Sequence, residues 1–267
     1  MTRTRTKHGV VNLRHLGDRP VGLVALHGFT QHGGSFEELA SCLDVGVLAI
    51  DLPGHGASEI HPITFEVAVD VIGSVLESFS SPVAVLGYSQ GGRIALGLVV
   101  AQPELVDRVV LVSASSGIED SERREERRLS DGALADRIEE IGVPAFVDEW
   151  LGAGLFEALR RRPEEWRSRD RRIRLENTAA GLAAALRGIG QGAQPYLGRH
   201  LRDSPTPALL VVGERDAKYR SIAASMSAEL PRSTIEVISD AGHSVIGEQP
   251  EAVAQVVNGF ILSPDGR

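Results

Sequence analysis

The stretch Gly-Tyr-Ser-Gln-Gly at residues 87–91 constrains the fold more than any other part of this sequence. It follows an apolar run at 82–86 and precedes residues 92–98, which have helical spacing. A serine flanked by glycines between a strand and a helix is typical of a nucleophile elbow, a sharp turn that exposes the serine oxygen above the sheet edge. The pattern predicts that Ser89 is the reactive serine of an enzyme built on a buried sheet.

Two partner residues for this serine lie downstream. The apolar run at 208–213 predicts a buried strand, and residues 234–238 predict a second strand. Asp216 follows the first and His243 follows the second. The order Ser89, Asp216, His243 along the chain is that of α/β-hydrolases and not that of the two best-known serine protease folds. Residues just past the carboxyl ends of parallel strands meet at one edge of the sheet. We therefore predict a catalytic triad of these three residues.

The acid of the triad has two competitors in the sequence. Glu214 follows the same strand as Asp216, and Asp240 lies three residues before His243. We favour Asp216, since an aspartate as close to the histidine as Asp240 is more typical of a turn. An acid bonded to the imidazole fixes its tautomer, so that the other ring nitrogen can accept the serine proton.

Two backbone N–H groups are candidates for an oxyanion hole. The residue after the nucleophile, Gln90, contributes one in this arrangement, and the loop after an earlier strand contributes the other. That loop follows the apolar run at 21–26 and begins His-Gly-Phe-Thr, which makes the N–H of Phe29 the second candidate. We assign His27 a role in the architecture of the loop and none in the chemistry.

Composition narrows the class of protein. The chain has 267 residues, a formal net charge of −8 and one cysteine, Cys42. A single cysteine forms no internal disulfide, which favours a reducing compartment. The negative charge argues against nucleic-acid binding, and no run approaches the roughly 20 apolar residues of a membrane span. We expect a cytoplasmic protein with neither a nucleic-acid nor a membrane partner.

The alternation of strand and helix patterns predicts the fold class. Strand patterns at 21–26, 45–50 and 106–112 alternate with helical ones at 35–42 and 65–79, which is typical of an α/β protein with a mostly parallel sheet covered on both faces. Strand patterns stop at about residue 115 and resume at 207, with helical periodicity between them. We interpret that segment as a cap over the site, and predict a core of residues 1–114 and 203–267 with a helical cap at 115–202.

Arg93 lies four residues after Ser89, on the same face of the predicted helix. A cation near a helix N-terminus opposes the macrodipole by about 0.3–1 kcal/mol, and its apolar neighbours indicate a buried position. Two interpretations remain open at this point. Arg93 forms a salt bridge with a nearby acid, or it binds an anionic substrate beside the nucleophile.

Together these motifs resemble the 2-succinyl-6-hydroxy-2,4-cyclohexadiene-1-carboxylate synthases, a branch of the α/β-hydrolase superfamily in menaquinone or phylloquinone biosynthesis. The arginine after the elbow and the string Glu-Arg-Asp-Ala-Lys-Tyr at 214–219 are the more specific matches. The resemblance covers nearly the whole chain, including the cap. One position departs from it, because members often carry a second histidine where this chain has Ile246.

The resemblance implies a lyase that eliminates pyruvate from a ring substrate carrying several carboxylates, with the triad serine acting as a base. It implies no metal and no organic cofactor. The positions that match the family's substrate-binding residues are Tyr88, Arg93, Arg127, Trp150 and Arg174.

Two other functions remain compatible with the same motifs. An esterase, lactonase or carbon–carbon bond hydrolase would use the same triad, with Ser89 as a true nucleophile. Arg93 and the arginine-rich cap disfavour neutral esters but not anionic substrates. The second is a ligand-sensing protein that keeps the fold but has lost turnover. The intact triad disfavours this interpretation.

Overall fold

The computed structural model describes residues 2–263. These residues contain one nine-stranded sheet. Its strands are β1 (Thr2–Thr6), β2 (Gly9–Leu16), β3 (Val21–Leu26), β4 (Gly46–Ile50), β5 (Glu59–Ile60), β6 (Val83–Tyr88), β7 (Val106–Val112), β8 (Ala208–Gly213) and β9 (Ser233–Ile238).

Ten α-helical segments accompany the sheet in the described residues. No helix of this part of the chain is long and apolar enough to cross a membrane. The helices are α1 (Glu37–Cys42), α2 (Phe65–Leu76), α3 (Gln90–Ala101), α4 (Ser121–Gly152), α5 (Glu164–Leu175), α6 (Ala179–Ile189), α7 (Gly198–Leu201), α8 (Ala217–Glu229), α9 (Val245–Glu248) and α10 (Pro250–Leu262).

The strand order is β1-β2-β4-β3-β6-β7-β8-β9, with β5 paired to β2. Every pair from β4 to β9 is parallel, whereas β1, β2 and β5 pair antiparallel at one end. All residues of β4, β6 and β8 are buried, because helices cover both faces of a parallel sheet. The predicted α/β fold with a mostly parallel sheet is confirmed.

Two apolar layers hold the helices to the sheet. One layer packs α2, α3 and α8 against one face, and the other packs α1 and α10 against the opposite face. Helix α3 is buried over most of its length because it lies directly behind the central strands. Its first residue therefore lies at a fixed place at the carboxyl edge of the sheet.

Residues 113–207, between β7 and β8, form the helical insertion. Its strongest internal packing joins α4 to α6 through a third apolar cluster that includes Ile138 and Leu182. Helix α4 breaks at Gly142, whose φ of 76° lies outside the helical region, and Pro144 follows immediately. The break divides α4 into two helical segments, one on either side of residue 142. The boundaries of the cap at 115 and 202 stay a prediction.

Candidate active site

Ser89 lies in the sharp turn between β6 and α3, with φ 50° and ψ −106°. A positive φ is uncommon for a residue with a side chain, so the surrounding structure must hold the turn. The Ser89 N–H donates to the carbonyl of Val112 over 2.8 Å. The helix also approaches the sheet closely here, since a Cβ at Gly91 would lie 2.1 Å from the carbonyl oxygen of Leu26. These contacts are why the glycine-flanked motif folds as an elbow.

The three residues predicted as a triad form one chain of hydrogen bonds. Ser89 Oγ lies 3.2 Å from His243 Nε2, and His243 Nδ1 lies 2.9 Å from Asp216 Oδ2. An ionised Asp216 can accept hydrogen bonds but cannot donate them, so Nδ1 donates to it and Nε2 is left to accept from the serine. The other carboxylate oxygen of Asp216 accepts the N–H of Tyr219 over 3.1 Å. The arrangement has the geometry needed to remove a proton from Ser89.

The two competing acids do not reach the histidine. Glu214 accepts the N–H of Asp240 over 3.0 Å, and Asp240 pairs with Arg215 and with Arg161. Both carboxylates lie on exposed parts of the loops. The structure therefore brings Asp216, and neither alternative, to His243.

Residues that the sequence analysis missed hold the loop of His243. Glu248 accepts the N–H groups of Gly242 and Ser244, the latter over 3.0 Å, and burial raises the pKa of the Glu248 carboxyl. Ser113 donates through Oγ to the carbonyl of His243 over 2.9 Å. The sequence did indicate that Ser113 lies near the site, because it directly follows the strand at 106–112.

Two effects on the pKa of Asp216 oppose each other. Burial raises the pKa of this carboxyl, whereas the hydrogen bonds from His243 and from the Tyr219 N–H lower it. The hydrogen bonds outweigh burial, so the pKa lies below its usual range. Asp216 is therefore ionised in the folded protein at neutral pH.

The lowered pKa predicts a pH-dependent contribution to stability. An acid whose pKa is lower in the folded state stabilises the protein fully above its unfolded pKa of about 4, and this stabilisation is lost as the pH falls through the folded value. The excess unfolding free energy of the wild type over Asp216→Asn should shrink from about pH 6 to about pH 3, as measured by urea unfolding. A difference that stays constant over this range would contradict the pairing. Asp203→Asn, at an exposed position, is the control.

The peptide between Gly28 and Phe29 is held from its carbonyl side. The Gly28 carbonyl accepts from His27 Nδ1 over 2.8 Å and from the N–H of Gln31 over 3.2 Å. His27 Nε2 accepts the N–H of Leu52 over 2.9 Å, so the ring proton is on Nδ1. Burial lowers the pKa of His27 well below its usual range and keeps the ring neutral. His27 thus has a part in the architecture of this loop.

Because the N–H of a trans peptide points opposite to its C=O, fixing the Gly28 carbonyl also fixes the direction of the Phe29 N–H. Within residues 2–263, neither the Phe29 N–H nor the Gln90 N–H donates to another protein group. Both predicted oxyanion donors are therefore free for a ligand. The Gln90 donor lies at the start of α3, where the helix dipole adds positive potential.

Arg93 is a buried cation with uncharged partners. It is 9% exposed, and its Nη1 donates to the carbonyl of Ile189 over 2.9 Å and to Gln194 Oε1 over 3.5 Å. No carboxylate of the described residues lies within ion-pair distance of it. Burial lowers its pKa to about 10, which leaves it charged at neutral pH. The salt-bridge interpretation of Arg93 is thus not what the structure shows.

Arg127 belongs to the same charged region but is more open. Its Nε donates to Asp131 over 2.7 Å, it bonds Gln191 as well, and its side chain is 39% exposed. Its charge contributes to the lowered pKa of Arg93. The pair places two cations near one another at the interface of α3 and the helical insertion.

Arg174 is the most buried of the predicted arginines, with 1% exposure. It forms a double hydrogen bond with Asp170, at 2.8 and 3.2 Å, and it bonds Thr30 Oγ1. Its guanidinium lies over the ring of Phe156, 5.7 Å from the centroid. Its charge is therefore already balanced by a carboxylate one helical turn away.

The two predicted aromatic residues pack against different rings. The Tyr88 ring is 5.8 Å from the His243 ring, and burial raises its pKa above the usual range. Trp150 packs edge-on against Phe29 at 5.5 Å, which brings the helical insertion against the loop that follows β3. Its Nε1 is buried and has no hydrogen-bond partner in the described structure.

A cavity of about 320 Å³ opens beside the histidine. The turns at 154–161 of the helical insertion form one wall, and the loops that carry Asp216 and His243 form the other, with Arg161 and Arg215 at the lining. Across residues 2–263, no cluster of three or more histidine, cysteine, aspartate or glutamate side chains is placed to hold a metal ion.

The family model described as the α/β hydrolase family matches residues 23–256. This chain belongs to the α/β hydrolase family. A Bacillus subtilis (strain 168) protein named "Putative 2-succinyl-6-hydroxy-2,4-cyclohexadiene-1-carboxylate synthase" is 36% identical over 248 residues, 90% of each chain. A protein of Escherichia coli O1:K1 / APEC with the same enzyme name is 31% identical over 236 residues, which cover 86% of this chain and 90% of that one.

Among solved structures, that of MenH from S. aureus is similar to this chain, with a TM-score of 0.88 and 29% identity over 96% of this chain and 98% of that one. The resemblance to the synthase branch that the motifs indicated is thus confirmed. The departing residue, Ile246, is 4% exposed and packs in the apolar layer beside α10.

Proposed function

We propose that this protein is a lyase of menaquinone biosynthesis that converts 2-succinyl-5-enolpyruvyl-6-hydroxy-3-cyclohexene-1-carboxylate to 2-succinyl-6-hydroxy-2,4-cyclohexadiene-1-carboxylate and pyruvate. The observation that carries the proposal is Arg93, a buried cation without a carboxylate partner, one helical turn from the triad serine. A site that keeps such a charge uncompensated is suited to an anionic ligand, because burial without a counter-ion is otherwise unfavourable.

The triad would act as a base in this reaction. Ser89 Oγ takes the proton from ring carbon 2, next to the succinyl ketone, while its own proton passes to His243 Nε2. The released electron pair forms the bond between carbons 2 and 3, the existing double bond moves to carbons 4 and 5, and the bond from carbon 5 to the enolpyruvyl oxygen breaks. The proton on His243 is returned to the departing enolpyruvate, which becomes pyruvate, and the serine is restored. Asp216 stabilises the imidazolium between these transfers.

The free N–H groups of Phe29 and Gln90 would stabilise the negative charge that develops on the ketone oxygen as the ring proton leaves. Such donors accelerate the reaction because they are fixed before charge develops, and the contacts of His27 with the Gly28 carbonyl support this for Phe29.

We propose that the carboxylates of the substrate bind to Arg93 and Arg127, with Tyr88 and Trp150 as walls of the site. Arg174 is proposed as a third carboxylate ligand, and this requires it to exchange one hydrogen bond, to Asp170 or to Thr30, for one to the substrate. The helical insertion would serve as the cap. We also propose that the enzyme acts in the cytoplasm, on a small substrate carrying several carboxylates.

The rival to be tested is a hydrolase, since the same triad and oxyanion donors suit an acyl-enzyme mechanism. The experiment compares kcat/KM for the cyclohexene substrate with that for aryl esters of acetate and of succinate. The proposal expects a strong preference for the cyclohexene substrate and only residual ester cleavage. Faster hydrolysis of the succinate ester than pyruvate elimination would favour the hydrolase.

A further inference from the structure

Asn177, in the helical insertion between α5 and α6, joins the insertion to two loops of the core. Its side chain is 6% exposed and uses both of its ends. Nδ2 donates to the Thr30 carbonyl over 2.7 Å and to the Arg174 carbonyl over 3.0 Å, and Oδ1 accepts the N–H of Gly56 over 2.8 Å. Replacement by a residue of similar size therefore breaks at least one defined bond.

Asn177 contacts Thr30, a residue whose backbone conformation is unusual. Thr30 has φ 67°, and a positive φ is a genuine outlier for a β-branched residue. It lies in a turn closed by the bond from the Gln31 N–H to the Gly28 carbonyl, 3.2 Å long. Its carbonyl is bonded by Asn177 and its hydroxyl by Arg174, both from the insertion. Strained residues persist only where their surroundings fix them, and here the insertion supplies these bonds.

The turn that contains Thr30 also contains Phe29, whose N–H donates to no other group of residues 2–263 and is the proposed oxyanion donor. If Thr30 relaxed to a negative φ, the peptide between Thr30 and Gln31 would rotate, and its N–H would no longer hold the Gly28 carbonyl, which belongs to the same peptide as the Phe29 N–H. We propose that Asn177 is a positioning residue, which holds the Phe29 N–H in the oxyanion hole by fixing the Thr30 carbonyl. This inference rests on the role given to Phe29 in the proposed function.

The alternative is that Asn177 only fastens the insertion to the core. The molecule offers a matched control for this, because Trp166 Nε1 donates to Glu38 Oε2 over 2.5 Å, far along the same interface. Trp166→Phe removes one N–H bond between insertion and core without touching the turn at Thr30. If Asn177 acts by holding the Phe29 N–H, Trp166→Phe should leave kcat and KM unchanged.

The test compares Asn177→Asp, Asn177→Ala and Trp166→Phe with the wild type. The aspartate can still accept from the Gly56 N–H, but once ionised it cannot donate to the Thr30 carbonyl. Both Asn177 variants should lower kcat by about 10- to 100-fold and leave KM within about twofold, since the oxyanion donors act in the transition state. Wild-type kcat in Asn177→Asp, or an equal loss in Trp166→Phe, would overturn the proposal. Thermal unfolding of each variant identifies any that fail to fold.

A second readout separates this inference from the reaction assigned above. Phenylboronic acid accepts the Ser89 oxygen at boron, with the serine proton passing to His243, and the resulting tetrahedral anion places an oxygen in the oxyanion hole. The wild type should bind it, and both Asn177 variants should bind it about tenfold more weakly or worse. If the wild type binds the boronate but does not eliminate pyruvate, the proposed reaction fails and the role of Asn177 is still decided by the affinities. Equal affinities, or no binding by the wild type, would overturn the inference.

Discussion

Replacing Ser89 with alanine is expected to lower kcat for pyruvate elimination by about 10³-fold or more, because the group that accepts the ring proton is removed. KM should change little, since the carboxylate-binding groups remain in place. Alanine keeps the positive-φ turn as strained as serine does, so the melting temperature should stay close to that of the wild type. The measurement is the initial rate of pyruvate release with purified protein.

The control for this variant is Ser225→Ala, which removes an exposed hydroxyl on α8 whose one hydrogen bond within residues 2–263 is to the Ser221 carbonyl. It should retain wild-type rates. If Ser89→Ala also retained most of the activity, His243 would have to take the ring proton without the serine, and the mechanism proposed here would be wrong.

Replacing Arg93 with methionine should lower kcat/KM for the cyclohexene substrate by about 100-fold. Methionine keeps much of the volume of the buried stem and removes the only part that would bind a carboxylate. The fold should survive, because loss of a buried uncompensated charge offsets loss of the donor to the Ile189 carbonyl. We expect the unfolding free energy to change by less than about 2 kcal/mol, as measured in urea.

Arg187→Met is the matched control, since Arg187 lies on the exposed side of α6 and pairs with Asp136 and Glu139. Its kinetics should equal those of the wild type. Unchanged kcat/KM in Arg93→Met would mean that Arg93 serves only to bond the loop after α6, and the anionic-substrate argument would lose its main support.

The central sheet could be predicted from sequence because its strands are buried on both faces and therefore read as continuous apolar runs. The strands at 21–26, 106–112 and 208–213 have the bounds that these runs indicated. The antiparallel strands β1 and β2 were not predicted. In β1, threonines alternate with arginines on a largely exposed edge, so no apolar run marks it.

The triad could be predicted for a similar reason. Each of its residues follows a strand of the parallel part of the sheet, and parallel strands bring their carboxyl ends to one edge. The partners of Arg93 could not be predicted, because Ile189 and Gln194 reach it only through the packing of the insertion on α3. For Arg174 the sequence did contain a signal, since Asp170 lies four residues earlier on the same helix. A lone asparagine such as Asn177 carries no such signal.

The most direct test of the proposed elimination measures pyruvate and the cyclohexadiene chromophore together, in one reaction with the cyclohexene substrate and purified protein. We expect equal amounts of the two products, formed far faster than in the spontaneous reaction. Formation no faster than the spontaneous rate, by a protein that still hydrolyses an aryl ester, would contradict it and identify the chain as a hydrolase.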